Sequence, residues 1–320
     1  MLISMLGLAA CEAESHDEPC TVSSVCRDEL LLNTDGVLPY FRSHPLKRNA
    51  SVRRVVVVVH GNRRDADRYF DRLVAAATAE DGLRDVALVA PHFQTSKDLP
   101  ATDEHYWSSQ GWKQGDASKD AKRISSFSAM NELLARLCSG QSVVFPRLTT
   151  VVIVGHSAGG QFVNRFAAAG EGCENPGVEV RYVVMNPSSY LYVDKRRKSN
   201  AEGFAEPVGE CLGFNDYKFG LERLNGYMQR IGSEAIRTRL FARKVYYLAG
   251  EEDTKRGRSL DKRCEADLQG RNRRERHTNY SDYAELFDDW QGSVFLTVPG
   301  VGHNGRKMLM SDLARRIIFR

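Results

Sequence analysis

The segment from Thr149 to Gly160 constrains the fold of this 320-residue chain more than any other. Its β-branched run, Val151 to Val154, predicts a strand buried on both faces. Phe162 and Phe166 then recur at helical spacing, so a helix follows almost at once. Between the two lies Ser157, among small residues that permit a sharp turn and the close approach of a substrate carbonyl. The segment predicts a serine placed for nucleophilic attack, and an ordinary tight turn is the alternative.

A serine hydroxyl is a weak nucleophile at neutral pH and needs a base, which an acid in turn orients. In a strand-to-helix elbow the chain order is serine, acid, histidine. Downstream, Lys244 to Ala249 predicts a strand that runs into a loop with three carboxylates. A carboxylate just past the end of a strand lies at the ligand-binding edge of an open α/β sheet. We assign Asp253 as the acid, with Glu251 and Glu252 as alternatives and a solvated acidic loop as the competing interpretation.

The base is expected in the glycine-rich loop that follows the last predicted strand, Ser293 to Val298. This loop contains His303, which can reach over the serine. Among the eight histidines, His60 and His92 also follow predicted strands but precede Ser157 in the chain. Only His303 has both the position and the chain order of the base, although a lone loop histidine is usually a surface residue.

An oxyanion hole is the remaining requirement for acyl transfer. Five consecutive valines end at His60-Gly61-Asn62 and predict a buried strand whose end supplies one backbone N–H. The residue after the nucleophile supplies the other. We therefore assign the amides of Asn62 and Ala158 as donors, with a plain strand-to-helix turn as the alternative at His60-Gly61. No cofactor and no metal is predicted.

Taken together, these motifs resemble those of the α/β-hydrolase superfamily. Four matching stretches carry the resemblance: His60-Gly61-Asn62, Gly155-His156-Ser157-Ala158-Gly159, Gly250-Glu251-Glu252-Asp253 and Gly302-His303. Further segments are similar to a little-characterised branch of secreted or surface hydrolases from microbes: Tyr106-Trp107, Gly111-Trp112-Lys113, Asn186-Pro187-Ser188-Ser189-Tyr190 and Gly270-Arg271-Asn272-Arg273.

The resemblance implies an α/β fold in which a mostly parallel sheet is flanked by helices. It implies a domain over residues 36–320, with a lid-like insertion at about 191–243, and a Ser-His-Asp triad. The implied activity is hydrolysis of a carboxylic ester through an acyl-enzyme, on a small-molecule or polymeric acyl substrate. A serine peptidase or polyester depolymerase is the nearest alternative. A non-catalytic surface-binding protein on the same fold is the alternative of another class.

One departure from the superfamily is a charged stretch between the predicted acid and His303. It precedes a helix predicted at Ser281 to Trp290 and leaves the choice of acid open. A second helix is predicted inside the insertion, near Phe219 to Ile231.

Several residues near the predicted strand ends are candidates for the wall of a substrate pocket. An irregular polar stretch carries Trp107 and Trp112, which either wall the pocket or anchor the loop on the core. Ser188 and Tyr190 leave the same sheet edge as the serine elbow. His60, at the end of the valine strand, completes the candidates.

Composition sets broad limits on the function. Hydrophobic residues make up 42% and charged residues 27% of the chain, as in ordinary globular proteins. The formal net charge of +4 is too small to indicate a nucleic-acid partner. Carboxylates dilute the basic stretch with Arg271, Arg273, Arg274 and Arg276. We therefore interpret it as a solvated face or a helix laced with carboxylates, with an anionic-substrate site as the alternative.

The first residues indicate export. Met1 to Ala10 is apolar, and Leu8-Ala9-Ala10-Cys11 is similar to a bacterial lipobox, which predicts a lipid anchor on Cys11. We expect a signal segment at residues 1–11, a polar and loosely ordered segment at 12–35, and a periplasmic or cell-surface lipoprotein or a secreted protein. The apolar run is short and no Lys or Arg precedes it, so an upstream start and a cytosolic protein are the alternatives.

The cysteines other than Cys11 suit an exported chain with disulfides, although six cysteines allow many pairings. The pairing that we favour joins near neighbours, two helix ends and two insertions: Cys20–Cys26, Cys138–Cys173 and Cys211–Cys264.

Overall fold

The structure, a computed structural model, describes residues 18–80, 82–138, 144–173, 175–199 and 203–320. The predicted signal segment and Cys11 lie outside the described residues. The strands are, in chain order, β1 (Arg27–Leu31), β2 (Val37–Arg42), β3 (Arg54–Val59), β4 (Val86–Pro91), β5 (Gln94–Thr95), β6 (Tyr106–Trp107), β7 (Thr150–His156), β8 (Glu179–Met185), β9 (Arg197–Ser199), β10 (Gly203–Ala205), β11 (Lys244–Gly250) and β12 (Ser293–Val298).

Eight of these strands form the main sheet, in the order β1-β2-β4-β3-β7-β8-β11-β12. The pairs β1–β2 and β2–β4 are antiparallel. The other six strands, from β4 to β12 in this order, run parallel to one another. The mostly parallel sheet that the sequence predicts is thereby confirmed. The carboxyl ends of the parallel strands share one edge, where open α/β sheets place their ligands.

Alternate side chains of the inner strands belong to two separate cores, one on each face of the sheet. In β3, Val55, Val57 and Val59 pack in one core, whereas Val56 and Val58 pack in the other. Successive side chains of a strand point to opposite faces, so an unbroken run of valines fits a strand that is covered on both sides.

Helices cover both faces of the sheet. The helices α1, α8 and α9 contribute to one core, and α2, α3, α5 and α7 contribute to the other. Their bounds, with those of the shorter α4 and α6, are α1 (Ala66–Thr78), α2 (Ser126–Cys138), α3 (Ala158–Ala169), α4 (Gly226–Ile231), α5 (Ser233–Ala242), α6 (Cys264–Asp267), α7 (Arg273–Ala284), α8 (Gly305–Met310) and α9 (Asp312–Phe319).

Two helix predictions are wrong in their bounds. The helix predicted at Ser281 to Trp290 is α7, which begins at Arg273 because the side chain of Asn272 caps the backbone N–H of Glu275. Its buried face carries charged and aromatic residues, so hydrophobic periodicity misses its first half. The helix predicted near Phe219 to Ile231 is only α4, and a further helix, α5, follows it directly.

The prediction of a loosely ordered segment up to residue 35 is wrong for its second half. Residues of β1 pair with β2 over five positions at the edge of the main sheet. Cys26, just before β1, is fully buried and forms a disulfide with Cys20. Because an edge strand leaves alternate side chains in solvent, β1 has the polar composition of a loop.

The three predicted disulfides are confirmed: Cys20–Cys26, Cys138–Cys173 and Cys211–Cys264. Among the described residues, every helix is too short or too polar to cross a lipid bilayer.

Candidate active site

Ser157 occupies the turn between β7 and α3 with a φ of 59° and a ψ of −113°, which few non-glycine residues adopt. Glycines on either side make this turn sterically feasible. A Cβ atom on Gly155 would lie 2.3 Å from the carbonyl oxygen of Gly159, and one on Gly159 would lie 2.2 Å from that of Val59. The Gly-x-Ser-x-Gly pattern is thus a packing requirement of a strand and a helix in close contact.

The structure brings the serine, the histidine and the aspartate together at the carboxyl edge of the sheet. His303 Nε2 lies 3.0 Å from Ser157 Oγ, and His303 Nδ1 lies 2.7 Å from Asp253 Oδ2. These side chains follow β12, β7 and β11, which end at the same edge because they run parallel. The imidazole can take a proton from the hydroxyl while the carboxylate holds its other nitrogen.

Asp253 is 2% exposed and is held by groups from two other segments. The side-chain amide of Asn186, at the end of β8, donates to Asp253 Oδ2 at 2.7 Å. Asn186 Oδ1 in turn accepts the backbone N–H of Gly250 at 3.0 Å. The guanidinium of Arg273 is buried 3.8 Å from Asp253 Oδ1. The orientation of the carboxylate is therefore fixed by its neighbours.

Asn186 was absent from the predicted site residues, although its segment was part of the resemblance. A polar residue directly after a predicted parallel strand was the available signal. The other two candidate acids lie elsewhere: Glu251 and Glu252 are exposed, and Glu251 accepts the backbone N–H of Gly300 at 3.0 Å. Of the three carboxylates, the structure places Asp253 at the histidine.

His156 lies beside the nucleophile but points into the core. Its ring centroid is 4.7 Å from that of His303, and its Nδ1 lies 3.0 Å from the hydroxyl of Tyr69. Burial, followed by the neighbouring His303, holds the pKa of His156 well below its usual range. The ring is therefore neutral and adds no positive charge next to His303.

The two amides assigned to the oxyanion hole border the same cleft as Ser157. Ala158 is the first residue of α3, and the first N–H groups of a helix have no acceptor inside it. In the part of the chain that the structure describes, the N–H of Asn62 has no acceptor either. Both donors are available to a developing oxyanion.

The cleft has a volume of about 700 Å³. Of the five candidate pocket residues, only Ser188 is among the described residues that line it. His60 is instead buried under the sheet edge, where its Nε2 accepts the backbone N–H of Phe93 at 3.0 Å. Burial lowers the pKa of His60 to about 3, so it is a neutral structural residue.

Trp107, Trp112 and Tyr190 also lie in the core and not on the cleft wall. Trp107 donates its indole N–H to the carbonyl of Ile124 at 3.1 Å. The tryptophans therefore anchor their loop, which is the second of the two predicted alternatives. The loop still reaches the cleft through its polar residues Gln110, Lys113 and Gln114.

Most of the arginine stretch lies in the helix α7, as one of the two interpretations predicts. The other interpretation, a solvated face, is wrong for Arg273 and Arg276, which are buried. Arg276 is fully buried and donates to the carbonyls of Ser188 at 2.5 Å and Asp261 at 2.8 Å. Arg273 donates to the carbonyl of Ser259 at 2.8 Å. Because these acceptors belong to segments that line the cleft, the two guanidinium groups fix its wall from behind.

Within the described ranges, one group of side chains has the composition of a metal site, namely Cys211, Cys264 and Glu265. The two cysteines are joined in a disulfide, which leaves a single carboxylate as a ligand.

No protein-family model matches the chain, and no curated protein matches it. Among solved structures, it is similar to LpqC, a poly(3-hydroxybutyrate) depolymerase from Bordetella parapertussis, with a TM-score of 0.63 and 22% identity over 92% of this chain and 89% of that one. It is also similar to poly(aspartic acid) hydrolase-1 from Sphingomonas sp. KT-1, with a TM-score of 0.62 and 19% identity over 92% of this chain and 98% of that one. The chain has the α/β-hydrolase fold, which confirms the predicted fold class.

Proposed function

We propose that this chain is a serine hydrolase that cleaves carboxylic esters through an acyl-enzyme. The observation that carries the proposal is the continuous contact from Ser157 Oγ to His303 Nε2 at 3.0 Å and from His303 Nδ1 to Asp253 Oδ2 at 2.7 Å. The cleft beside the serine has about 700 Å³, which lies in the usual range of small-molecule sites.

In the proposed reaction, His303 Nε2 takes the proton of Ser157 as Oγ attacks the carbonyl carbon of the ester. The backbone N–H groups of Asn62 and Ala158 stabilise the negative oxygen of the tetrahedral intermediate. His303 then returns the proton to the leaving alcohol, and water repeats the sequence on the acyl-enzyme. Asp253 holds Nδ1–H of the imidazole and stabilises its charged form.

Polymeric esters are a second candidate substrate class. Both structures compared above are named for the degradation of a polymer, one of them a polyester. The cleft is bordered by exposed residues such as Lys262 and Arg263, so a chain longer than the cleft can leave it into solvent.

The proposed function is tested with Ser157→Ala and with the exposed Ser233→Ala as the matched control. We expect wild type and Ser233→Ala to hydrolyse 4-nitrophenyl butyrate. In Ser157→Ala we expect kcat to fall by about 10⁴-fold or more, because the nucleophile is lost. Circular dichroism of both variants checks that they are folded.

A panel of esters, polyesters, lactones and peptides assayed with the same proteins separates the remaining alternatives. Cleavage of peptides without esters would point to a peptidase. A fluorophosphonate probe should modify Ser157 alone, and mass spectrometry locates the modified residue. If the folded wild type neither reacts with the probe nor hydrolyses any ester, the chain is a binding protein on a hydrolase fold.

We also propose that the protein is exported, with a lipid on Cys11. The disulfides support this location because such bonds persist in oxidising compartments. Metabolic labelling with an alkyne fatty acid should mark the wild type but not Cys11→Ser. The lipid anchor is contradicted if the Cys11→Ser variant is labelled, or if the wild type is not labelled.

A further inference from the structure

Lys113 is a buried cation that the proposed reaction does not use. It ends the short 3₁₀ turn Gly111–Lys113, and its side chain is 5% exposed while it lines the cleft beside Ser157. Within the described ranges, its ammonium group has neither a hydrogen-bond acceptor nor a carboxylate within ion-pair distance. Burial, followed by Lys218 and Arg165, lowers the pKa of Lys113 to about 7.

The charges around Lys113 are mostly positive. Lys218 and Arg263 share one carboxylate, Asp261, at 2.9 Å and 2.7 Å. Arg165 is fully buried and close enough to act on Lys113. Four cations therefore lie near Asp261, which is already in contact with two of them. Two further carboxylates line the cleft, Asp216, which pairs with Arg223 at 3.2 Å, and Glu265.

Arg165 has no carboxylate partner of its own in the described part of the chain. Its guanidinium donates to the carbonyl of Gln161 at 2.8 Å, to the hydroxyl of Ser189 at 2.9 Å and to the carbonyl of Lys218 at 3.2 Å. These neutral acceptors satisfy its N–H groups but leave its charge uncompensated. The excess positive charge next to Lys113 is thus built into the wall.

Lys113 is mostly buried and has no carboxylate partner of its own, so its charged form is disfavoured. An anion in the cleft would supply that partner. We propose that the cleft binds an acyl group that carries a carboxylate, and that the ammonium of Lys113 pairs with this carboxylate while the ester carbonyl lies at Ser157. The proposal rests on the proposed function and names the substrate class of the same site.

The helix α3 sets the scale of such a substrate. Gln161 lies on the cleft wall one turn after Ser157, and Arg165 follows one turn later. With a rise of about 1.5 Å per residue, Gln161 lies roughly 6 Å and Arg165 roughly 12 Å from the nucleophile along the helix axis. The half-ester of a medium-length dicarboxylic acid spans this interval.

The test compares mono-4-nitrophenyl adipate with its methyl ester, which has the same chain but no charge. We expect kcat/KM of the wild type to be at least about tenfold higher for the anionic ester, since a desolvated charge pair contributes strongly. Lys113→Met should reduce this ratio about tenfold, mainly through KM, and Lys113→Arg should retain part of it. Lys119→Met removes the same charge at an exposed position outside the cleft and should change the ratio less than about twofold.

The proposal is wrong if the wild type shows no preference for the anionic ester. It is also wrong if Lys119→Met reduces the ratio as much as Lys113→Met does. If Lys113→Met does not fold, Lys113→Gln takes its place, with thermal unfolding as the check on both.

Binding of adipate to Ser157→Ala, measured by calorimetry, needs no turnover and separates the two proposals. Lys113 loses its charge as the pH rises through its pKa of about 7, so Kd should increase about tenfold between about pH 6 and pH 8.5. Replacing Lys113 with Arg in the Ser157→Ala protein should weaken the dependence of Kd on pH, because a guanidinium stays charged. Part of the dependence should remain, because the pKa of the nearby Lys218 is also lowered, to about 8.

If adipate binding depends on Lys113 but the wild type has no esterase activity, the anion-site proposal holds and the proposed hydrolase function is wrong. Esterase activity without adipate binding would contradict the anion site alone.

Discussion

The side-chain amide of Asn186 donates to the same carboxylate oxygen of Asp253 that contacts His303, with both distances at 2.7 Å. Asn186 also accepts the N–H of Gly250 at the end of β11. Its own backbone N–H donates to the carbonyl of Leu248 at 3.0 Å. The ends of β8 and β11 are thereby tied together, and the carboxylate is oriented independently of any substrate.

Removal of the Asn186 amide should therefore slow the reaction. Asn186 has a φ of 47°, which glycine adopts without strain, so Asn186→Gly removes the side chain and keeps the turn. A hydrogen bond to a charged group contributes about 1.5–3 kcal/mol, so we expect kcat for 4-nitrophenyl butyrate to fall about 10- to 100-fold with little change in KM.

Asn186→Ala is the companion variant, since it loses the same amide but adds backbone strain. We expect a similar kcat and a lower melting temperature than for Asn186→Gly. Full activity of Asn186→Gly would show that Asp253 needs no support from β8.

The choice of acid is tested by neutralising each carboxylate of the loop. Asp253→Asn should reduce kcat by about 10⁴-fold, because the imidazole loses its tautomer and orientation, as in the serine-protease triad from which this magnitude comes. Glu251→Gln and Glu252→Gln are matched controls in exposed positions and should stay within about twofold of wild type. Loss of activity in either control, with activity kept in Asp253→Asn, would reassign the acid.

Local patterns predict three residues that the structure brings into contact at the sheet edge. Ser157, Asp253 and His303 each follow a β-branched or apolar strand, and parallel strands bring such positions to one edge. The sequence patterns do not predict the positions of Asn186 and Lys113, because these depend on contacts between distant segments. Nothing in the sequence around Lys113 shows that it is buried next to Arg165 and Lys218.

The errors in the fold have a similar physical origin. The edge strand β1 and the first half of α7 are polar, although one pairs in the sheet and the other buries arginines. Arg276 is buried because backbone carbonyls and Asp267 satisfy its guanidinium. Hydrophobic periodicity reports apolar burial only, so such a helix face looks exposed in the sequence.

Arg276 should therefore contribute to stability as much as to the shape of the cleft. Arg276→Met leaves several buried acceptors without a donor, and we expect the free energy of unfolding in urea to fall by about 3 kcal/mol. Arg271→Met changes an exposed neighbour of the same charge and should cost less than about 0.5 kcal/mol. Equal stability of the two variants would restore the interpretation of this stretch as a solvated face.

The disulfides should differ in both their effect on stability and their effect on the cleft. Cys211–Cys264 closes a sequence separation of 53 residues and Cys20–Cys26 one of 6, so chain entropy predicts losses of about 4 and about 2 kcal/mol. Gly213 and Glu265, beside the first bond, line the cleft. In ester assays we expect the double alanine variant of Cys211 and Cys264 to have a higher KM than the wild type. The double alanine variant of Cys20 and Cys26 should have an unchanged KM.

Three buried histidines and the half-buried His92 should make the protein less stable in mild acid. Burial lowers the pKa of His60 to about 3 and that of His277 to about 4, and it lowers the pKa values of His92 and His156 as well. The folded state keeps these rings neutral, whereas the unfolded chain protonates them near pH 6.5. Their contribution is present above that pH and is lost as the pH falls towards the folded pKa values.

Each such histidine adds about 1.4 kcal/mol per pH unit to the slope of the unfolding free energy below about pH 6.5. We expect His277→Gln to reduce the slope between about pH 6 and pH 5 by that amount, because one of the protons taken up on unfolding is gone. Depressed carboxylates such as Glu179, with a pKa of about 2, affect stability only at lower pH, so they do not obscure this window. Urea unfolding curves at closely spaced pH values measure the slopes, and identical slopes for the two proteins would mean that His277 is protonated in the folded state.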